Sequence, residues 1–197
     1  TVTETDNLGN SVETFAFKTG NVITGHGAIA PHSFVPTDNE PLFLSSTGIF
    51  ALTASDVTGE RYVQSRSFYI NPKLLSESNI ADAYACLHKD FYFIAAGSGV
   101  YVLDLLQKHY EEGEPYSNYQ YECFYLTGVP ARIVWDNNGV LCFGTADGTV
   151  CSFNTDESTP ESYQDTLDGT NYTPVKCQWE TPDIDGKTFY SSKHFRY

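Results

Sequence analysis

With 25 Asp and Glu against 11 Lys and Arg in 197 residues, the chain carries a net charge of −14, which argues against a nucleic-acid backbone or an anionic membrane surface as partner. Such a charge serves solubility and spacing between copies. Apolar residues make up 41% and aromatic residues 15%, enough for one sizeable core or a few sheet interfaces and too much for a disordered chain. No run approaches the roughly 18 apolar residues of a membrane helix, and no charged-then-apolar leader opens the sequence. Methionine is absent and Thr1 comes first, so a processed product or a piece of a longer polypeptide is expected.

In chain order, residues 1–10 are polar and are expected to fray. Thr14 to Phe17, a Thr19-Gly20-Asn21 turn, and Val22, Ile23 and Thr24 read as a lead-in hairpin. Residues 29–35 read as a strand, with Pro36-Thr37-Asp38-Asn39 as the turn that follows. Residues 42–52 are a hairpin around Gly48, and residues 62–67 the strand that returns after the Asp56-Val57-Thr58-Gly59 turn. Asn71, Pro72, Leu74 and Leu75 predict one short helical turn, with Asn71 as its cap and Pro72 in the first helical position. Residues 83–88, a Lys89-Asp90 turn, a hairpin over 91–103 and a late strand over 119–126 form a second group, interrupted by an acidic, tyrosine-rich loop at 110–118. Residues 131–135, the turn Asp136-Asn137-Asn138-Gly139 and a hairpin over 141–153 form a third. A polar loop over 156–173 precedes a strand starting at Val175.

The three hairpins share one plan: an apolar run rich in β-formers, a turn closed by glycine, and a second apolar run. Their closing glycines, Gly48, Gly99 and Gly148, are spaced 51 and 49 residues apart and are each expected at positive φ. A period near fifty built from short strands predicts propeller blades. The expected fold is therefore all-β and β-propeller-like, with three four-stranded blades; since three do not close a ring, either the lead-in hairpin and the C-terminal strand complete a fourth or the blades are a fragment of a larger propeller, the second being preferred. The expected organisation is a lead-in hairpin over 1–27, blade repeats over 28–174 and a C-terminal strand region over 175–197.

Chemistry is sparse. The five cysteines form no C-x-x-C pair and are expected to be reduced structural residues. Cys142 and Cys151 would face one another if the third hairpin turned through four residues, 145–148, and would not if it turned through three. The five histidines are scattered, and Asp165, Asp168-Gly169 and Asp183-Ile184-Asp185-Gly186 lack the dense oxygen spacing of a calcium loop, so no metal or cofactor is expected. Glu111, Glu112, Glu114 and Glu122 are abundant but lie around a Gly-Pro loop, unlike the fixed carboxylate pair of a glycosidase. No G-x-S-x-G elbow or phosphate-cradling loop occurs, and an enzyme is not expected. The best candidates for contact with another molecule are Tyr110, Tyr116 and Tyr119, because tyrosine offers wide apolar area, a polar tip and little entropy to lose, while Tyr121 and Tyr125 read as core. Arg61 and Arg66 flank a strand and read as structural ion-pair residues, Arg61 toward the turn at 56–59.

The order of several short motifs adds a resemblance. Glu40-Pro41-Leu42-Phe43-Leu44, Glu60-Arg61-Tyr62-Val63-Gln64, Ile70-Asn71-Pro72-Lys73-Leu74, Val100-Tyr101-Val102-Leu103-Asp104, Tyr121-Glu122-Cys123-Phe124-Tyr125, Phe143-Gly144-Thr145-Ala146-Asp147-Gly148 and Trp179-Glu180-Thr181-Pro182 follow one another as in long tail-associated structural proteins, which the chain resembles over most of residues 28–197. Those proteins belong to phages and prophages of Gram-positive gut bacteria, and in them a Trp-x-Thr-Pro strand and a basic-aromatic stretch, here Lys193-His194-Phe195-Arg196-Tyr197, open a following domain. The resemblance implies a virion structural protein, assembled in the bacterial cytoplasm, that works by contacts with other tail or virion subunits or with itself and has no active site. The alternatives are a host-surface glycan-binding module, which requires an exposed aromatic platform with convergent amides, and, further off, a glycoside hydrolase, which requires a deep polar pocket.

Overall fold

The computed structural model describes residues 2–5, 9, 11–14, 26–54, 61–154, 158, 164–166 and 168–178. The chain divides into two compact units, Thr1–Phe153 and Asn154–Tyr197. The fold is mostly β, built from several antiparallel sheets, and among the described residues no sheet closes into a barrel.

The first unit opens on a hairpin of β1 (Val2–Thr5) and β2 (Ser11–Thr14), where fraying was expected. The expected lead-in hairpin falls mostly on residues 15–25, outside the described residues. Three antiparallel meanders follow. The first holds β3 (Leu42–Ser45), β4 (Gly48–Ala54) and β5 (Arg61–Ser65). The second holds β6 (Tyr84–His88), β7 (Phe91–Ala96), β8 (Gly99–Tyr110) and β9 (Tyr119–Leu126). The third holds β10 (Ala131–Asn137), β11 (Val140–Thr145) and β12 (Val150–Ser152). The repeated hairpins are thus β3–β4, β7–β8 and β11–β12, but among the described residues only the second meander has the four strands expected of all three.

The two short meanders lack strands at opposite ends. Ahead of β3, the stretch expected to be a strand contains Pro31, which has no N–H to donate and starts a 3₁₀ turn, Pro31–Ser33. This segment meets β3 through single bridges from Ala28 to Ser45 and Val35 to Leu42 and through the Ser33 hydroxyl, which accepts from the Leu44 amide (2.9 Å). After β12 the chain leaves the first unit at residue 153. In the second unit the described pairing is β13 (Gln164–Asp165) with β14 (Thr173–Pro174), and residues 175–178, expected to begin a strand, carry no regular structure.

Alternation along β7 and β8 places the second meander between the other two. Tyr92, Ile94, Tyr101 and Leu103 pack with Leu42, Leu44, Ile49 and Ala51 of the first meander. Phe93, Ala95, Val100 and Val102 face the other way, onto Val134, Leu141 and Phe143 of the third. β7 and the first half of β8 are therefore apolar on both faces, and their sequences read as continuous apolar runs, whereas β9 alternates between buried Tyr119 and Tyr121 and more open Gln120 and Glu122.

The turns differ from expectation in detail. Gly48 (φ 139°) and Gly148 (φ 89°) are left-handed, but Gly99 is not; Gly97 (φ 58°) takes that role, because the loop between β7 and β8 is only Gly97-Ser98 and Gly99 already pairs with Ala96. Gly99 serves packing instead: a Cβ there would sit 2.6 Å from the Tyr125 ring. Asn138 (φ 51°) and Gly139 (φ 88°) close the β10–β11 turn as an Asn-Gly pair should. In the β11–β12 hairpin Gly144 pairs with Val150, one residue further than a turn through 145–148 would set, so Cys142 pairs with Ser152 and Cys151 with Phe143. That one-residue shift puts Cys142 and Cys151 on opposite faces, and all five cysteines are free thiols.

Candidate contact surface

Between β5 and β6, residues 66–77 fasten the first two meanders together. Asn71 is not the helix cap: the helical turn α1 (Asn71–Leu74) starts after Ile70, with no side-chain cap. Its amide instead donates to the Thr47 carbonyl (3.1 Å) and accepts from the Ser67 hydroxyl (2.6 Å), and that hydroxyl receives the Ile49 amide (2.8 Å). Glu77 does the same for the next hairpin, accepting from the Ser98 amide (3.1 Å) and the Tyr101 hydroxyl (2.6 Å). One linker thus holds the tips of both hairpins. The tip of the third hairpin closes on itself: Asp147 accepts from the Thr145 hydroxyl and the Thr149 amide.

Beneath the linker lies a buried ionic cluster. Arg66, with no exposed surface, donates from Nε and Nη2 to the two oxygens of Glu40 (2.5 and 2.9 Å), and from Nη1 to the Tyr119 carbonyl (3.0 Å). The hydroxyls of Tyr119 (2.9 Å) and Tyr121 (3.2 Å) also donate to Glu40. Burial alone would push the Glu40 carboxyl up; the Arg66 guanidinium and the two hydroxyls outweigh it and leave the carboxyl below its ordinary value. The same pairing leaves Arg66 above its ordinary value despite burial. With a further bond from Arg66 to the Gln64 side chain (2.9 Å), these groups are engaged within the protein, and the cluster is a clasp between β9 and the first meander.

The expected trio of Tyr110, Tyr116 and Tyr119 is brought together, with Tyr110 edge-on to Tyr116 at 5.8 Å and 5.9 Å from Tyr119. It is not uniformly exposed. Tyr116 is 87% and Tyr110 47% exposed, whereas Tyr119 is buried against the Arg66 guanidinium at 3.9 Å, so Tyr119 belongs to the clasp. Tyr121 is fully buried and Tyr125 half-buried, as expected for core. The Arg61 side chain and the turn at 56–59 lie outside the described residues.

Strand alternation sends His109 and Gln120 to the other side of the same ribbon. There they meet two aromatics that the sequence reading passed over, Phe68 and Tyr69, 62% and 52% exposed in the turn after Arg66. Tyr69 lies edge-on to Phe68 (5.7 Å) and to His109 (5.5 Å). An open depression of about 210 Å³ is lined by Phe68, Glu111, Asn118 and Gln120. Partial burial and the Glu111 carboxylate both raise the Tyr69 phenol above its ordinary value. The amides beside it are already engaged: Gln120 accepts from the Phe68 amide (3.0 Å) and donates to the Ser65 carbonyl (3.1 Å), and Asn118 donates to Glu114 (3.0 Å).

Elsewhere, His88 on β6 meets Asp136 on β10 at 2.5 Å, tying the second and third meanders. Asp168 gathers the Thr170 and Asn171 amides (both 2.8 Å) in a self-contained turn of the second unit, and these bonds hold its carboxyl far below the ordinary range. Among the described residues no three His, Cys, Asp or Glu side chains are placed to hold a metal ion, and no helix is long and apolar enough to cross a membrane. Comparison with protein-family models, curated proteins and solved structures finds no match.

Proposed function

We propose that this protein is a structural component of a phage or prophage tail that works through protein contacts, its three meanders being successive blades of a propeller-like array. The order of motifs resembling tail-associated proteins supports the setting, and the 51- and 49-residue spacing of the three glycine-closed hairpins supports the blades. The observation that carries the contact role is the pair of exposed aromatic patches at the end of the β8–β9 ribbon, Tyr110 with Tyr116 on one side and Phe68 with Tyr69 on the other. Large exposed aromatics clustered on a rigid sheet are the usual anchors of protein interfaces.

A glycan reader shares the aromatic platform, but it needs amides aimed at sugar hydroxyls, and those of Asn118 and Gln120 are each oriented by a bond within the protein. A glycosidase needs two carboxylates across an enclosed cleft, and the depression is open with one, Glu111. The reading is tested by light scattering across a concentration series, a glycan array and a broad hydrolase panel on the purified protein. The expected result is concentration-dependent association with no glycan retained and nothing cleaved. A strictly monomeric protein that retains or cleaves a polysaccharide would overturn it.

A further inference from the structure

We propose that the depression beside Phe68 and Tyr69 is a docking site for an arginine side chain presented by a partner protein. The inference rests on the contact reading above and names the chemistry of the contact.

Three observations support it. The lining is aromatic and acidic: Phe68 lines the depression with Glu111, and the Tyr69 hydroxyl lies 3.5 Å from the Glu111 carboxylate. Among the described residues that weak contact is the single polar partner of the Glu111 side chain, and Glu111 joins no ion pair. A carboxylate beside an exposed ring is a half-built cation site, needing a group that both stacks and pairs.

The same protein shows the completed version close by. Arg66 lies on the Tyr119 ring while pairing with Glu40, and Lys108 (4.4 Å, over Tyr119) and Lys73 (4.2 Å, over Tyr125) also sit on tyrosines. In the depression the ring and the carboxylate are present and the cation is not. The surrounding charge supplies the selection. Glu111, Glu114 and Glu122 lie in or beside the loop on a chain of net charge −14, which draws a basic segment in and repels an acidic one. Arginine suits the site better than lysine, because its planar, weakly hydrated guanidinium stacks on Phe68 while donating to Glu111.

The test is an NMR titration of the isotopically labelled protein with Ac-Arg-Arg-Arg-NH₂, and with the tri-citrulline peptide, which keeps the shape and lacks the charge. The arginine peptide is expected to give saturable shifts confined to residues 68–69, 109–111 and 118–120, and the citrulline peptide none. Glu111→Gln should weaken the arginine peptide at least fivefold, and Phe68→Ala similarly. Asp38→Asn, an equal charge change on an exposed residue in another loop, should leave binding unchanged. Equal weakening by Glu111→Gln and Asp38→Asn, shifts spread over the acidic surface, or no shift at all would overturn the site. Any of these leaves the contact reading standing if association and the absence of cleavage hold, whereas a retained polysaccharide removes the contact reading whatever the peptide does.

Discussion

The first two meanders and the third are built from similar hairpins and are secured differently. Between the first and second run the Glu40–Arg66 clasp, the Asn71 and Glu77 ties to the hairpin tips, and a bond from the Tyr92 hydroxyl to the Ser33 carbonyl (2.8 Å), on top of a large apolar interface. Between the second and third there is the apolar interface, the His88–Asp136 pair, and an exposed Arg132–Asp82 contact at 4.0 Å. On the far side of the third sheet, Ile133, Val140 and Val150 are 44 to 69% exposed. Polar side chains in a linker therefore bind the first two sheets at several points, while the third joins through packing and few polar pairs.

The largest effect expected from breaking this difference is at the clasp. Arg66→Met or Glu40→Ala leaves a buried charge without its partner and should cost about 3 to 5 kcal/mol in urea unfolding. The Glu40→Leu, Arg66→Met double variant should be closer to wild type than the sum of the single variants. His88→Asn, at the looser junction, should cost clearly less. Equal losses at the two junctions would erase the comparison.

The hairpin tips come next. Gly48→Ala and Gly97→Ala combine left-handed backbone with a Cβ that collides with Asn71 or Glu77, whereas Gly148→Ala meets no atom within 4 Å. Strain of about 1 to 3 kcal/mol is expected at the first two, in thermal melts, with Gly148→Ala at or below the lower end. A costlier Gly148→Ala would mean that the third tip is also held from outside.

Acid should loosen the clasp before the rest. The folded Glu40 carboxyl lies below its ordinary 4.5, so its contribution is complete above that pH and is lost as the pH falls through the folded value. The wild-type midpoint should drop steeply below about pH 4.5, and that of Glu40→Gln, already lower at neutral pH, should drop less. Parallel pH profiles would assign acid sensitivity to other carboxylates.

The smallest effect is on thiol chemistry. Burial pushes the Cys86 and Cys123 thiols of the middle sheet up to about 12, through desolvation first and then the neighbouring Asp136 and Glu122 charges. Both should resist iodoacetamide at pH 8, and Cys151, half-buried on the third sheet's last strand, should label ahead of them. The reverse order, read by mass spectrometry, would place the looser sheet in the middle.

Local signals carried much of this into the sequence. Apolar runs around a glycine, an Asn-Gly turn and Asn71-Pro72 mark three hairpins and a helical turn because each depends on neighbours along the chain. What depends on partners far away was not legible. Glu40 and Arg66 are 26 residues apart, and nothing local says that they meet. Tyr119 looked like Tyr110 and Tyr116 because a bulge between Asp104 and Lys108 and the register of β9 decide which rings turn inward. Phe68 and Tyr69 were missed because a turn has no periodicity, although two adjacent aromatics between Ser67 and Asn71 were a usable signal.

The measurement that bears most directly on the account is the composition of tail particles. Under the proposed tail role, particles released by induced cells that encode this chain would be purified and their proteins quantified by mass spectrometry, alongside the soluble fraction. The account predicts this chain in the particle at a fixed ratio to other tail subunits, released when the Phe68, Tyr69, Tyr110 and Tyr116 rings are replaced by alanine in a variant that still folds. A protein found only in the soluble fraction, or held on polysaccharide instead, would contradict it.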